Sequence, residues 1–168
     1  RNVLSGKATS VTAFIDETEQ GLAGGGSPKD IETMFQLIYL NFTQPRADAT
    51  VFGVLTSQMK AMLASQQASP DWAFKQALIT TMGQNHYRAR PMTPEMVGEM
   101  DLQKSFAFYK DRFSDASGFT FVFAGSFEVA TIRPLVERYL GSLPSRQRHE
   151  TWKNIGMAPP RGVVEKVV

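Results

Sequence analysis

Between Ala8 and Thr18 the side chains alternate. Val11, Ala13 and Ile15 fall on one side, Thr12, Phe14 and Asp16 on the other, the period of a β-strand. Phe14 predicts that the second face is partly covered. From Ser27 the period lengthens. Ser27 suits a helix N-cap, and Pro28 suits the first helical position, where a missing N–H costs nothing. Asp30 comes three residues after the cap, within reach of its backbone N–H and beside the positive helix end. Ile31, Phe35, Ile38 and Phe42 recur at helical spacing, with Met34 and Leu37 widening the stripe, until "TQPR" stops the helix near Thr43.

The helical period continues downstream. Asp48 can cap a helix carrying Phe52, Leu55, Met59, Met62 and Leu63 on one face. "ASPDW" restarts the chain into a third helix with Trp72, Ala73, Ala77 and Leu78. Thr93 and Pro94 repeat the cap-then-proline device. Asp101 opens a longer helix striped by Leu102, Phe106, Tyr109 and Phe113. In "GFTFVFAGSF", Phe119, Phe121 and Phe123 alternate with Thr120, Val122 and Ala124. Both faces are apolar or small, which predicts a central strand. On that placement, Phe121→Ala should cost about 3–5 kcal/mol. A helix is expected from Glu128 to Leu140, with Pro134 in its first turns and a start toward Thr131 as the alternative, and Gly141 should end it. "SLPSRQRHETWKNIGMAPPRG" reads as a linker, and "GVVEKVV" as a short strand.

Strand, several helices, strand, helix, linker and strand is an α+β order: a mostly antiparallel sheet packed against several helices. The expected division is a domain over residues 1–145, then a linker and the first strand of a following domain over 146–168. Few strands for so many helices, and a start at Arg1, suggest a domain truncated on its N-terminal side. With 42% apolar residues the chain can bury a core. Eighteen Lys and Arg against sixteen Asp and Glu nearly balance, so no nucleic acid or anionic membrane is called for. No stretch approaches the roughly 18 apolar residues of a membrane span. The absence of cysteine removes disulfides, thiolate metal sites and a thiol nucleophile.

Candidate chemistry is sparse. The glycines at 21, 24, 25 and 26 match neither G-x-x-x-x-G-K-[ST] nor G-x-G-x-x-G. Pro28 removes a backbone donor and Asp30 adds negative charge, so Gly21 to Ser27 reads as a turn and not a phosphate cradle. A zinc-peptidase helix needs two histidines on one face with a carboxylate beside them. This chain has His86 and His149, both in polar loop-like stretches, and Glu150 beside His149 is followed by no second histidine. No G-x-S-x-G elbow exists; Ala124 to Phe127, "AGSF", resembles half of one and reads as structural. Arg88 and Arg90 form a small basic loop around Tyr87. No catalytic, cofactor-binding or metal-binding residue is therefore assigned.

Two stretches nevertheless resemble the pitrilysin/insulinase zinc peptidases. One has the form D-x-E-x-x-x-Q-L-x-x-L-x-F-T-x-P-R: Asp30, Glu32, Gln36, Leu37, Leu40, Phe42, Thr43, Pro45 and Arg46. The other is "FAGSFEVATIRPLVERYLGSLPS", a strand leading through Gly and Phe into a helix that ends at Y-L-G-S-L-P. The resemblance implies a metallopeptidase-like domain, similar to those of mitochondrial processing peptidase. It implies a parent of four related domains enclosing a peptide chamber, with zinc held elsewhere by an inverted H-x-x-E-H helix that no residue here matches. The chain looks most like the third domain, in the non-catalytic half. Zinc then belongs to the parent, with none in this segment. The implied partners are the parent's other domains and a peptide substrate. The implied location is a bacterial periplasm or the exterior, with the cytoplasm as alternative. The second functional expectation is a scaffold or binding protein of the same superfamily that has lost peptidase activity.

Overall fold

Residues 4–16 and 18–167 are described by a computed structural model. Glu17 and Val168, each near the end of an expected strand, lie outside the described residues. The alternating segment forms strand β1 (Thr9–Ile15), which pairs antiparallel with β2 (Gln20–Gly26), Val11 facing Gly24 and Ala13 facing Leu22. The glycine run is thus a strand and not the expected turn. A neighbouring β1 supplies the pairing that glycine's low strand propensity would not predict. The Phe14 ring lies over Gly21, where a Cβ would come within 2.9 Å of it.

Pro28–Asp30 makes a single 3₁₀ turn into α1 (Ile31–Thr43). The expected capping box does not form. Ser27 Oγ donates instead to Asp30 Oδ2 at 2.7 Å, and the same oxygen accepts the Ala8 N–H at 3.1 Å. Asp30 therefore ties the start of the hairpin to the start of the helix. Five further helices follow: α2 (Ala49–Gln67), α3 (Pro70–Met82), α4 (Pro94–Gly98), α5 (Leu102–Arg112) and α6 (Val129–Leu135). Asp48 caps α2 through the Thr50 and Val51 N–H groups, both at 3.0 Å, and Thr93 caps α4 through Met96. The fold is α+β.

The chain divides into two units, Arg1–Arg46 with Phe106–Glu150 and Ala47–Ser105 with Thr151–Val168. In the first, Ile38, Phe42, Phe113 and Leu143 form the core, with Val11, Leu22, Phe119 and Phe121 packed against it. Phe42 meets Phe113 and Phe119 edge-on at 5.6 and 5.0 Å. In the second, Leu63 and Val97 are buried, while Phe74, Leu78 and Met82 stay exposed along α3. The tail is fastened there by Gln84, whose amide donates to the Ala158 carbonyl at 2.9 Å. Within "GVVEKVV", Val163 to Val167 pair with no strand among the described residues.

Two expectations hold in part. α6 starts where the first expectation put it, with Glu128 as N-cap and Val129 as first residue, and not at the alternative start toward Thr131, so Pro134 sits in its second turn. The proline lacks an N–H for the α-helical ladder, and the chain continues as a wider π turn, Val136–Leu140. Residues 119–124 belong to no strand among the described residues, and they are one-sided. The phenylalanines are half-buried, whereas Thr120, Val122 and Ala124 are exposed, Val122 at 83%.

Candidate functional site

In the first unit, a cleft of about 1060 Å³ is lined by residues of β2 and by residues 117–127. Ile31, Met34 and Ile38 of α1 also line it. The helical stripe read from the sequence is what puts these apolar groups there, at i, i+3 and i+7.

The backbone of β2 can be assigned atom by atom. The Asp16 N–H donates to Glu19 O at 2.8 Å, and the Ser27 N–H to Ala8 O at 2.9 Å. With those pairs fixed at both ends, antiparallel alternation makes Gly21, Ala23 and Gly25 the hydrogen-bonded partners of Phe14, Thr12 and Ser10. Gln20, Leu22, Gly24 and Gly26 then turn their N–H and C=O groups away from β1. All four line the cleft. Thr120 to Ala124, which also line the cleft, make no backbone hydrogen bond among the described residues.

Arg112, Asp115, Arg148, His149 and Glu150 also line the cleft. Arg112 reaches both Gln20 Oε1 and the Glu150 carboxylate. Arg148 joins Glu150 at 2.7 Å and Asp111 at 3.1 Å. Asp115 is buried, with only 6% of its surface exposed, and accepts N–H groups from Ser117, Arg146 and Arg148 at 2.9, 2.9 and 2.7 Å. The Arg146 and Ser117 bonds hold its carboxyl far below the ordinary aspartate range, against the opposing effect of burial. The Arg112 guanidinium likewise lowers Glu150, and Asp111 raises Arg148. These carboxylates are committed to ion pairs and backbone donors. The cluster orders the 146–150 segment.

The candidates from the sequence disperse. Gly21 to Ser27 are strand and strand end, and the Ser27 N–H is spent on Ala8. His149 lines the cleft, whereas His86 belongs to the second unit, where Nε2 lies 3.0 Å from the Ile155 carbonyl oxygen. Arg88 stays beside Tyr87, donating to its hydroxyl at 3.0 Å. Gly125, Ser126 and Phe127 line the cleft. Among the described residues, no group of three or more His, Asp or Glu side chains could hold a metal ion. Sequence reasoning missed the Asp115 cluster. Its one local sign is "DASG", an aspartate two residues before the Ser117 N–H it binds.

The two family-like stretches do meet. Tyr139 of the second donates to Glu32 Oε1 of the first at 2.9 Å, and Gln36 donates to the Tyr139 hydroxyl at 3.3 Å. Phe35 stacks on Phe123 and on Tyr139 at centroid distances of 5.0 and 6.4 Å.

No family model and no curated protein matches the chain. Solved structures do. A mutant of the ferredoxin protease FusC, in complex with Arabidopsis ferredoxin, matches with a TM-score of 0.67 at 14% identity. The match covers 94% of this chain and 17% of that one. The chain therefore has a fold found within a protease chain, and it spans about one-sixth of that chain's length. No helix among the described residues is long and apolar enough to cross a membrane.

Proposed function

We propose that this chain is a non-catalytic domain of a zinc-dependent endopeptidase related to the pitrilysin/insulinase family, forming part of the wall of a chamber that encloses peptides. The observation that carries the reading is the fold match to a protease chain over nearly the whole length of this one. The packing of the two family-like stretches through Tyr139, Glu32 and Phe35 adds support. Zinc is assigned to the parent. No catalytic step is assigned to the described residues. The parent's other domains and a peptide substrate are the proposed partners.

Deletion from the full-length polypeptide tests the reading. Removing residues 1–168 should abolish peptide hydrolysis and leave the zinc content of the remainder unchanged. Hydrolysis by the purified 168-residue chain, or one tightly held zinc per copy of it, would contradict the assignment.

A further inference from the structure

We infer that the loop over residues 83–90 and the segment 151–162, clasped to each other, form a docking surface for an acidic polypeptide segment, whether or not the parent is a peptidase. Both stretches belong to the second unit. Together they carry Arg88, Arg90, Lys153 and Arg161 and no Asp or Glu. The whole chain carries only +2, so its positive excess is gathered here and the remainder is net negative. All four cations are exposed, and none forms an ion pair among the described residues. In the first unit, by contrast, Arg112, Arg133, Arg138 and Arg148 are each paired with Asp or Glu.

Side-chain contacts hold the two stretches together. Gln84 Nε2 donates to the Ala158 and Pro159 carbonyls at 2.9 and 3.2 Å, and His86 Nε2 lies 3.0 Å from the Ile155 carbonyl oxygen. On its own loop the same ring accepts the Arg88 N–H through Nδ1 at 3.2 Å, so His86 links the Arg88 backbone to the tail. The loop itself is strained. Gln84 and Asn85 lie at φ 48° and 55°, a left-handed conformation that side chains other than glycine rarely adopt. Gly83 lets the loop close, since a Cβ there would come within 2.1 Å of the Ala89 Cβ. Strain of this kind persists only where the surroundings fix it, and a loop so fixed meets a partner without first having to order itself.

The aromatic groups set the kind of partner. Tyr87 is 63% exposed and Trp152 86%. The Arg88 guanidinium is already oriented, its Nε donating to the Tyr87 hydroxyl at 3.0 Å and its carbon 5.6 Å from the ring centroid. Trp, Tyr and Arg are the side chains that carry most of the binding energy at protein interfaces. The arginine fork takes a carboxylate through two parallel hydrogen bonds, and open ring faces suit the side chains between the carboxylates. A nucleic acid strand fits less well. Four cations answer only a few phosphates, and the net-negative remainder of the chain repels the rest of a longer strand.

Fluorescence anisotropy of a labelled eight-residue peptide of alternating Glu and Tyr tests this on the 168-residue chain. Binding should saturate at about 50 mM salt and weaken at about 300 mM. Arg88→Gln with Arg90→Gln, and separately Lys153→Gln with Arg161→Gln, should each weaken it by about 10-fold or more. Arg133→Gln with Arg138→Gln removes the same charge from the first unit and should change binding by less than about 2-fold. The altered side chains are exposed, so every variant should keep the wild-type melting temperature. Absence of saturable binding would overturn the surface. Loss from only one of the two second-unit pairs would overturn the joint site, and an equal loss from the Arg133 and Arg138 pair would reduce the binding to overall charge. Tighter binding of a labelled deoxythymidine octamer at the same salt would assign the surface to nucleic acid and overturn the proposed partner.

Discussion

Asp115 is the residue on which the end of the first unit depends. Three N–H groups from Ser117, Arg146 and Arg148 converge on one buried carboxylate, fixing a segment that has little apolar content of its own. Its carboxyl is held below the ordinary value of 3.8, first by the Arg146 and Ser117 donors. A group depressed in the folded state adds stability that is complete above its ordinary value and is lost as pH falls through the folded one. Asp115→Asn should therefore lower the urea midpoint at pH 6, and the gap from wild type should narrow as pH drops from about 4 toward 2. A gap that holds constant across that range would mean the carboxylate's charge is not what orders the segment. Phe113, 1% exposed, shows the apolar counterpart. It meets Phe42, Tyr109 and Phe119, and Phe113→Ala should cost about 3–5 kcal/mol in a denaturant titration.

At the scale of elements, what is legible in the sequence and what is not separate by the range of the forces involved. Helix starts at Asp48 and Thr93 are readable because a cap is local: one side chain and an N–H two or three residues on. The apolar stripe of α1 is readable because its period is set by the helix itself. β2 is not, since four glycines in seven residues signal a turn until a partner strand fixes them. The end of α6 is half legible. Gly141 does stop it, but at φ −64°, not in the left-handed conformation of the usual C-terminal glycine. Glycine is needed there because a Cβ would come within 2.6 Å of the Glu137 carbonyl oxygen, which the π turn after Pro134 brings close. Gly141→Ala should lower stability by about 1–3 kcal/mol, and an unchanged melting temperature would show that the turn relaxes freely. The alternation at 119–124 rightly predicts alternating burial and wrongly predicts a filled central strand. With Phe121 only half-buried, Phe121→Ala should cost about 2 kcal/mol, below the value that full burial implies.

For the molecule as a whole, the two units differ in what holds them. The first buries Phe35, Ile38, Phe42, Phe113, Ile132 and Leu143 and adds aromatic contacts among them and their neighbours. The second buries Leu63 and Val97 and leaves Phe74, Leu78, Ile79 and Met82 of α3 at least two-fifths exposed. The stripe predicted along α2 is only partly used, with Leu63 buried but Leu55 and Met62 each more than half exposed. Local stability follows buried apolar area, so opening should begin in the second unit. In native-state exchange at rising urea, amides of α3 should open at low denaturant, whereas those of α1 should open only with global unfolding. A single transition in which α3 and α1 amides share one free energy and one urea dependence would show that the chain unfolds as one cooperative body despite this imbalance. If α3 does open first, the shortage lies in apolar cover. The exposed side chains are already apolar, so a partner that covers them would raise the opening free energy of α3 without any change to the first unit's core.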